Sequence, residues 1–193
     1  GMRPLAADHK GKKGTFEIHG GPCGSGKTRK CIAAKIRAEG DSYRRIYVAA
    51  PTRIVCTEVY EALRDVPGMP MISLEIKDSK VPQRNSIAKV KIIPHDVLLR
   101  HLEENRVNPN STLVIVDEFH VANAATIASL KIMMQWTTMS GLHVYCLSAT
   151  TPTKLWRGTN YPVKQVVFPN RDMIKEELQK RTESEKGLVI VPA

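Results

Sequence analysis

No run of about eighteen apolar residues occurs in this 193-residue sequence, which excludes an ordinary membrane-crossing helix. The N-terminal stretch has no apolar signal core either. Lys10, Lys12 and Lys13 lie there among glycines without periodicity, so residues 1–14 read as a basic, solvated, flexible tail and the protein is expected to be soluble and unsecreted. Cysteine is scarce and unpatterned. The four residues Cys23, Cys31, Cys56 and Cys146 form no C-x-x-C pair and have no histidines at zinc spacing, which points to reduced thiols and away from disulfides or a structural metal. Acidic residues fall short of basic ones, 19 Asp and Glu against 29 Lys and Arg, for a formal charge of +10. Such a balance favours a polyanionic partner such as nucleic acid, although it also fits an anionic membrane or plain solubility. No internal repeat is visible. With 42% hydrophobic residues the chain can bury one substantial core, in one domain or one and a fraction.

What is present is organised around Gly21-Pro22-Cys23-Gly24-Ser25-Gly26-Lys27-Thr28, which fits G-x-x-x-x-G-K-[ST]. It lies between a strand-like run, 15–19, and a helix-like run, 27–38, the setting a phosphate-binding loop needs. Glycines at 21, 24 and 26 let the backbone turn tightly with its N–H groups aimed inward, and the helix that follows adds the positive end of its dipole. Lys27 would reach the β- and γ-phosphates of a nucleotide, and the Thr28 hydroxyl would ligate Mg²⁺. A glycine turn that merely precedes a lysine would match the same letters; the flanking strand and helix argue against it.

Strand-like runs follow at 45–50, 69–76, 90–93, 112–116, 142–147, 163–168 and 187–191, separated by helical patterns at 54–66, 95–104, 122–134 and 171–182. Short apolar runs such as RIYVAA and TLVIV, each followed by polar residues, predict an open, mostly parallel α/β sheet with ligands at its carboxyl edge. TLVIV delivers Asp117 and Glu118 to that edge. Asp117 can hold Mg²⁺ from the side opposite Thr28, while Glu118 can orient and deprotonate an attacking water. Standing alone, such a pair fits a solvated loop or a helix N-cap equally well. His120 lies within a turn of them; it either couples the nucleotide site to neighbouring polar groups or is a cap or surface residue.

Together these stations resemble a family. Gly24 to Arg29 (GSGKTR), Ala50 to Arg53 (APTR), Asp117 to His120 (DEFH) and Ser148-Ala149-Thr150 with the Thr-Pro after it are similar, in content and order, to motifs I, Ia, II and III of superfamily 2 DExH helicases. The nearest branches are the flavivirus-like non-structural helicases and, second, the potyvirus cylindrical-inclusion helicases. The resemblance covers 15 to about 152. It departs at Phe119, where relatives usually carry Ala or Cys, and at Thr151-Pro152-Thr153, which replaces Thr-Pro-Pro-Gly.

The resemblance implies a three-layer RecA-like P-loop NTPase lobe over 15–168 that uses ATP and Mg²⁺. It assigns Gly21 through Arg29 to nucleotide binding, Thr28, Asp117 and Glu118 to the metal, and Lys27, Asp117, Glu118 and His120 to catalysis. It further assigns Pro51, Thr52 and Arg53 to the backbone of single-stranded RNA, and Ser148, Ala149 and Thr150 to coupling between the two sites. Residues 169–193 would form a linker and the first strand of a second lobe, since Lys186 to Pro192 resembles that strand and no Q-R-x-G-R-x-G-R sequence is present to supply arginine fingers. Without those fingers, worth ~10³–10⁵ in turnover, this lobe alone would be weakly active or inactive. Other viral replication proteins would be partners, in the host cytoplasm at replication complexes. The alternatives are a basic, non-enzymatic RNA-binding fragment and another P-loop NTPase, a kinase or signalling GTPase, in which APTR and SAT have no place and for which no N-K-x-D is found.

Overall fold

Two strands, β2 (Arg45–Ala50) and β5 (Thr112–Val116), are apolar almost throughout and buried on both sides, which requires helices over both faces of the sheet. The structure is a computed structural model that describes residues 14–20, 27–77, 85–118, 124–148, 165–168 and 190–192. Around the two central strands it adds β1 (Thr15–Gly20), β3 (Ile72–Leu74), β4 (Val90–Pro94), β6 (His143–Ser148), β7 (Gln165–Phe168) and β8 (Ile190–Pro192). All eight form one sheet, ordered β3-β4-β2-β5-β6-β1-β7-β8, and every neighbouring pair is parallel. The expected α/β architecture is therefore observed.

Side chains alternate between the faces with the period of two that a strand imposes. Ile46, Val48, Leu113 and Ile115 pack under α1 (Lys27–Glu39) and α2 (Arg53–Arg64), where Ile32, Ile36, Val59 and Leu63 meet them. Ala49, Val114, Val116 and Val144 face the other way, against Leu98 and Leu102 of α3 (His95–Glu103) and Met133 and Met134 of α4 (Ala124–Ser140). Two cores on one sheet make three layers. Each fully buried Ile, Val or Leu contributes roughly 1.5–3 kcal/mol of transfer free energy, so the central strands form a rigid base for whatever leaves their ends.

Differences from expectation lie at the margins. β3 occupies only the middle of the expected 69–76 run, because as an edge strand it pairs with β4 alone. α4 continues six residues beyond the expected stop at Met134. Thr137 and Thr138, poor helix formers by propensity, turn their hydroxyls back to the carbonyls of Met133 and Met134 at 2.8 and 3.4 Å and so stay in the helix. Gly141 then takes φ 76°, a left-handed turn that leads into β6. The helix expected over 171–182 lies outside the described residues. Residues 190–192, expected to open a second lobe, pair with β7 at the margin of this same sheet.

Candidate functional site

The sheet order gathers four separated stretches of sequence at one edge. β2, β5, β6 and β1 are consecutive neighbours, and their carboxyl ends lead to Pro51, to Asp117, to Ala149 and to Gly21 respectively. Gly20 is in register with Ser148, and β6, which ends at Ser148, runs between the strand that feeds the glycine loop and the one that delivers the acidic pair. Arrangement by strand order, and not by distance along the chain, brings the candidate residues to a common line.

Asp117 is the least ordinary group there. It is fully buried, and its backbone N–H donates to the Ala49 carbonyl at 2.7 Å, extending the ladder between β5 and β2 one residue beyond the strand. Neither carboxylate oxygen has a hydrogen-bond partner among the described residues; the Glu118 N–H is near enough to favour the charged form but falls short of bonding geometry. Burial pushes the carboxyl up to about 6, the adjacent Glu118 charge adds to the rise, and the Arg29 guanidinium opposes it. A buried carboxylate without donors is costly unless something positive completes it. A hard cation such as Mg²⁺ would satisfy such a carboxylate. Among the described residues no three His, Cys, Asp or Glu side chains converge, so its remaining ligands would be waters and phosphate oxygens, the usual case for Mg²⁺.

Glu118 follows with φ 52°, in the left-handed region that costs a side-chain-bearing residue roughly 1–2 kcal/mol. Its side chain is only partly exposed. Strain of this kind persists where the surroundings hold it, and one holder is visible. His95, the first residue of α3 and itself buried, places Nε2 3.0 Å from the Asp117 carbonyl and Nδ1 2.8 Å from Thr126 Oγ1. A carbonyl only accepts, so Nε2 carries the proton, and in the neutral ring Nδ1 accepts from the threonine hydroxyl. Burial, which lowers the pKa of His95, agrees with that state. Sequence reasoning placed His95 at a helix start and gave it no role. The available signal was positional: like Asp117, it directly follows a buried strand at the sheet's carboxyl edge.

Pro51, Thr52 and Arg53 line a groove of about 1050 Å³ together with Asp96, Val97, Arg100 and His101 of α3. Thr52 caps α2, its Oγ1 accepting from the Val55 N–H at 3.2 Å, so the helix-start reading holds, and the hydroxyl that accepts inward keeps a proton to donate outward. Lys91, inside the groove, is matched by Glu75 at 3.1 Å, and Arg106 by Glu104 at 3.3 Å. Arg53, Lys77 and Arg100 have no ion-pair partner among the described residues, and they give the groove its positive sign against Asp96. Arg29, expected at the nucleotide, donates to Glu58 of α2 at 3.3 Å. Lys27 and Thr28 begin α1, as a phosphate loop requires. Gly21 to Gly26, Phe119, His120, Ala149 and Thr150 lie outside the described residues.

With this geometry in hand, comparison with known proteins is informative. The flavivirus DEAD domain family matches residues 9–161. The chain is 28% identical over 148 residues to the genome polyprotein of Tembusu virus and 29% identical over 153 residues to that of Murray valley encephalitis virus (strain MVE-1-51). Those matches take in 74% and 79% of this chain but only 4% of either polyprotein, so the chain spans a small part of the relatives it resembles. Among solved structures, the NS3-like helicase from Alongshan virus superposes with a TM-score of 0.54 at 18% identity, over 88% of this chain and 41% of that one. The UvsW helicase from bacteriophage T4 gives 0.56 at 15% identity, over 92% of this chain and 54% of that one. At such identities the likeness is one of fold, the RecA-like lobe.

Proposed function

This chain belongs to the flavivirus DEAD domain family, and we propose that it is the ATP-binding first lobe of a viral RNA helicase, coupling ATP hydrolysis to translocation and unwinding during genome replication. The observation that carries the reading is the buried Asp117 carboxylate, without donors among the described residues, beside a strained Glu118 at the end of β5. Gly21 to Gly26 would wrap the phosphates with backbone N–H groups, and Lys27 would supply a point charge to them, with Arg29 nearby. Asp117, with Thr28 and Glu118, would hold Mg²⁺. When bound, that ion neutralises charge on the β- and γ-phosphates. Glu118 accepts the proton of the attacking water, and His120 relays the state of the site to its surroundings.

Pro51, Thr52 and Arg53 would grip the phosphodiester backbone of single-stranded RNA without reading bases, and Ser148, Ala149 and Thr150 would link this grip to the nucleotide. The strand order supports such a link, since β6 lies between β5 and β1. We take the lobe as 15–168, with 1–14 a tail and 169–193 leading to a second lobe that supplies the remaining catalytic groups. The pairing of β8 with β7 speaks instead for a lobe that reaches Pro192, and limited proteolysis distinguishes the two. Other replication proteins, and replication complexes in the host cytoplasm, complete the proposed setting. Among the described residues no helix is long and apolar enough to cross a membrane.

Glu118→Gln in the complete protein tests the reading. The amide can hold a water but cannot accept its proton, so Mg·ATP affinity should stay within about twofold while turnover falls ~10²–10⁴-fold. Wild-type turnover in that variant would remove the hydrolytic role. A wild-type protein that binds RNA but never turns over ATP would favour the non-enzymatic alternative.

A further inference from the structure

His95 stands where the two halves of this lobe's work meet. It is the first residue of α3, and the next two residues, Asp96 and Val97, line the groove onto which Pro51, Thr52 and Arg53 open. Its ring faces the opposite way, 1% exposed, and bridges the Asp117 carbonyl and Thr126 of α4. The carbonyl it holds belongs to the peptide unit that also contains the Glu118 N–H. Any rotation of that unit changes φ of Glu118, which stands at 52°, and so redirects the Glu118 side chain. On the other side the Asp117 N–H is tied to Ala49, the penultimate residue of the strand that leads to Pro51. The stretch ahead of Glu118 is thus held at two points, and both holders are continuous with groove-lining residues.

We propose that His95 is a positioning residue that transmits occupancy of the groove by single-stranded RNA to Glu118, through the hydrogen bond from its Nε2 to the Asp117 carbonyl. The inference rests on the reading of Glu118 as proton acceptor and goes beyond it by naming the route of stimulation. An RNA backbone bound at Arg53 and along α3 shifts the start of that helix, and the shift reaches the peptide unit ahead of Glu118 through one buried ring. Coupling carried by a single such contact is removable by a single substitution.

The test compares His95→Asn and His95→Gln in the complete protein, measuring ATP turnover with and without a single-stranded oligouridylate. The glutamine amide can stand where ring Nε2 stood and still donate to Asp117; the asparagine amide reaches only the position of Nδ1. The RNA-stimulation ratio should fall about tenfold in His95→Asn with KM for ATP within about twofold of wild type, and His95→Gln should restore most of it. A merely structural role predicts equal losses with and without RNA, tracking the melting temperature, and that result overturns the proposal, as does undiminished stimulation in His95→Asn. If His95→Asn does not fold, Thr126→Val takes its place: it removes the hydroxyl that fixes the ring, and unchanged stimulation there is equally fatal. The two readings fail separately. A wild-type protein without RNA-stimulated turnover sinks the helicase assignment and the coupling together, whereas a stimulated wild type with an equally stimulated His95→Asn sinks the coupling alone.

Discussion

The ends of β5 and β2 are neighbours in the sheet, yet they are built on opposite terms. At the end of β2 every group is locally comfortable: Thr52 caps its helix, and Arg53 stands in solvent where its charge costs little. At the end of β5 an acid is buried with no donors among the described residues, followed by a residue held in the left-handed region. The first arrangement is stable whether or not a ligand is present; the second gives up stability that, on the proposed function, a bound cation and phosphate would return. On the proposed function, the contrast separates a surface that lends charge to a polymer from a site built for chemistry on a small anion.

The largest expected effect separates the two sites by ligand. Lys27→Ala should weaken Mg·ATP binding by about 100-fold or more in calorimetry while leaving RNA affinity nearly unchanged, since a phosphate-binding charge is lost and the groove is untouched. A parallel loss of RNA affinity would merge the sites that the geometry keeps apart. Smaller and opposite in selectivity, Arg53→Ala should weaken single-stranded RNA binding about threefold to tenfold, equally for unrelated sequences, and lower the salt slope by about one, because a backbone contact releases counterions and reads no base. Titrations at two salt concentrations check both features. Smallest of all, Thr52→Ala should cost about 1 kcal/mol of stability through the lost cap. By thermal melting that is a fall of roughly 2–4 °C for a chain of this size.

Much of this contrast was legible in the sequence, and what was not has a common cause. RIYVAA and TLVIV announced central parallel strands because strands buried on both faces have no polar side to interrupt them. Asp117, Glu118 and the Pro51-Thr52-Arg53 stretch stand out in the sequence as candidates because each immediately follows such a strand. The length of α4 exceeds its sequence pattern because Thr137 and Thr138, poor helix formers by propensity, stay helical with their hydroxyls bonding back along the helix. His95 was missed for a different reason. Its partners lie 22 and 31 residues away, and only the order of strands in the sheet brings them together. Local pattern identifies what a strand delivers; which deliveries meet is decided by non-local packing.

Asp117→Asn is the measurement that bears most directly on the claim that stability is surrendered at β5 for function. The folded carboxyl, raised from 3.8 to about 6, binds its proton more tightly than in the unfolded chain. In the absence of nucleotide and Mg²⁺, stability should therefore fall as pH rises from about 4 through 6 and stay low above that, a penalty of up to about 3 kcal/mol. The neutral amide escapes it. At pH 7.5 the ligand-free variant should melt above wild type, the gap should shrink to about half by pH 5 and close by about pH 3, and Mg²⁺-dependent ATP binding should be lost. A variant that melts below wild type at pH 7.5 and still binds Mg·ATP with wild-type affinity would contradict the account.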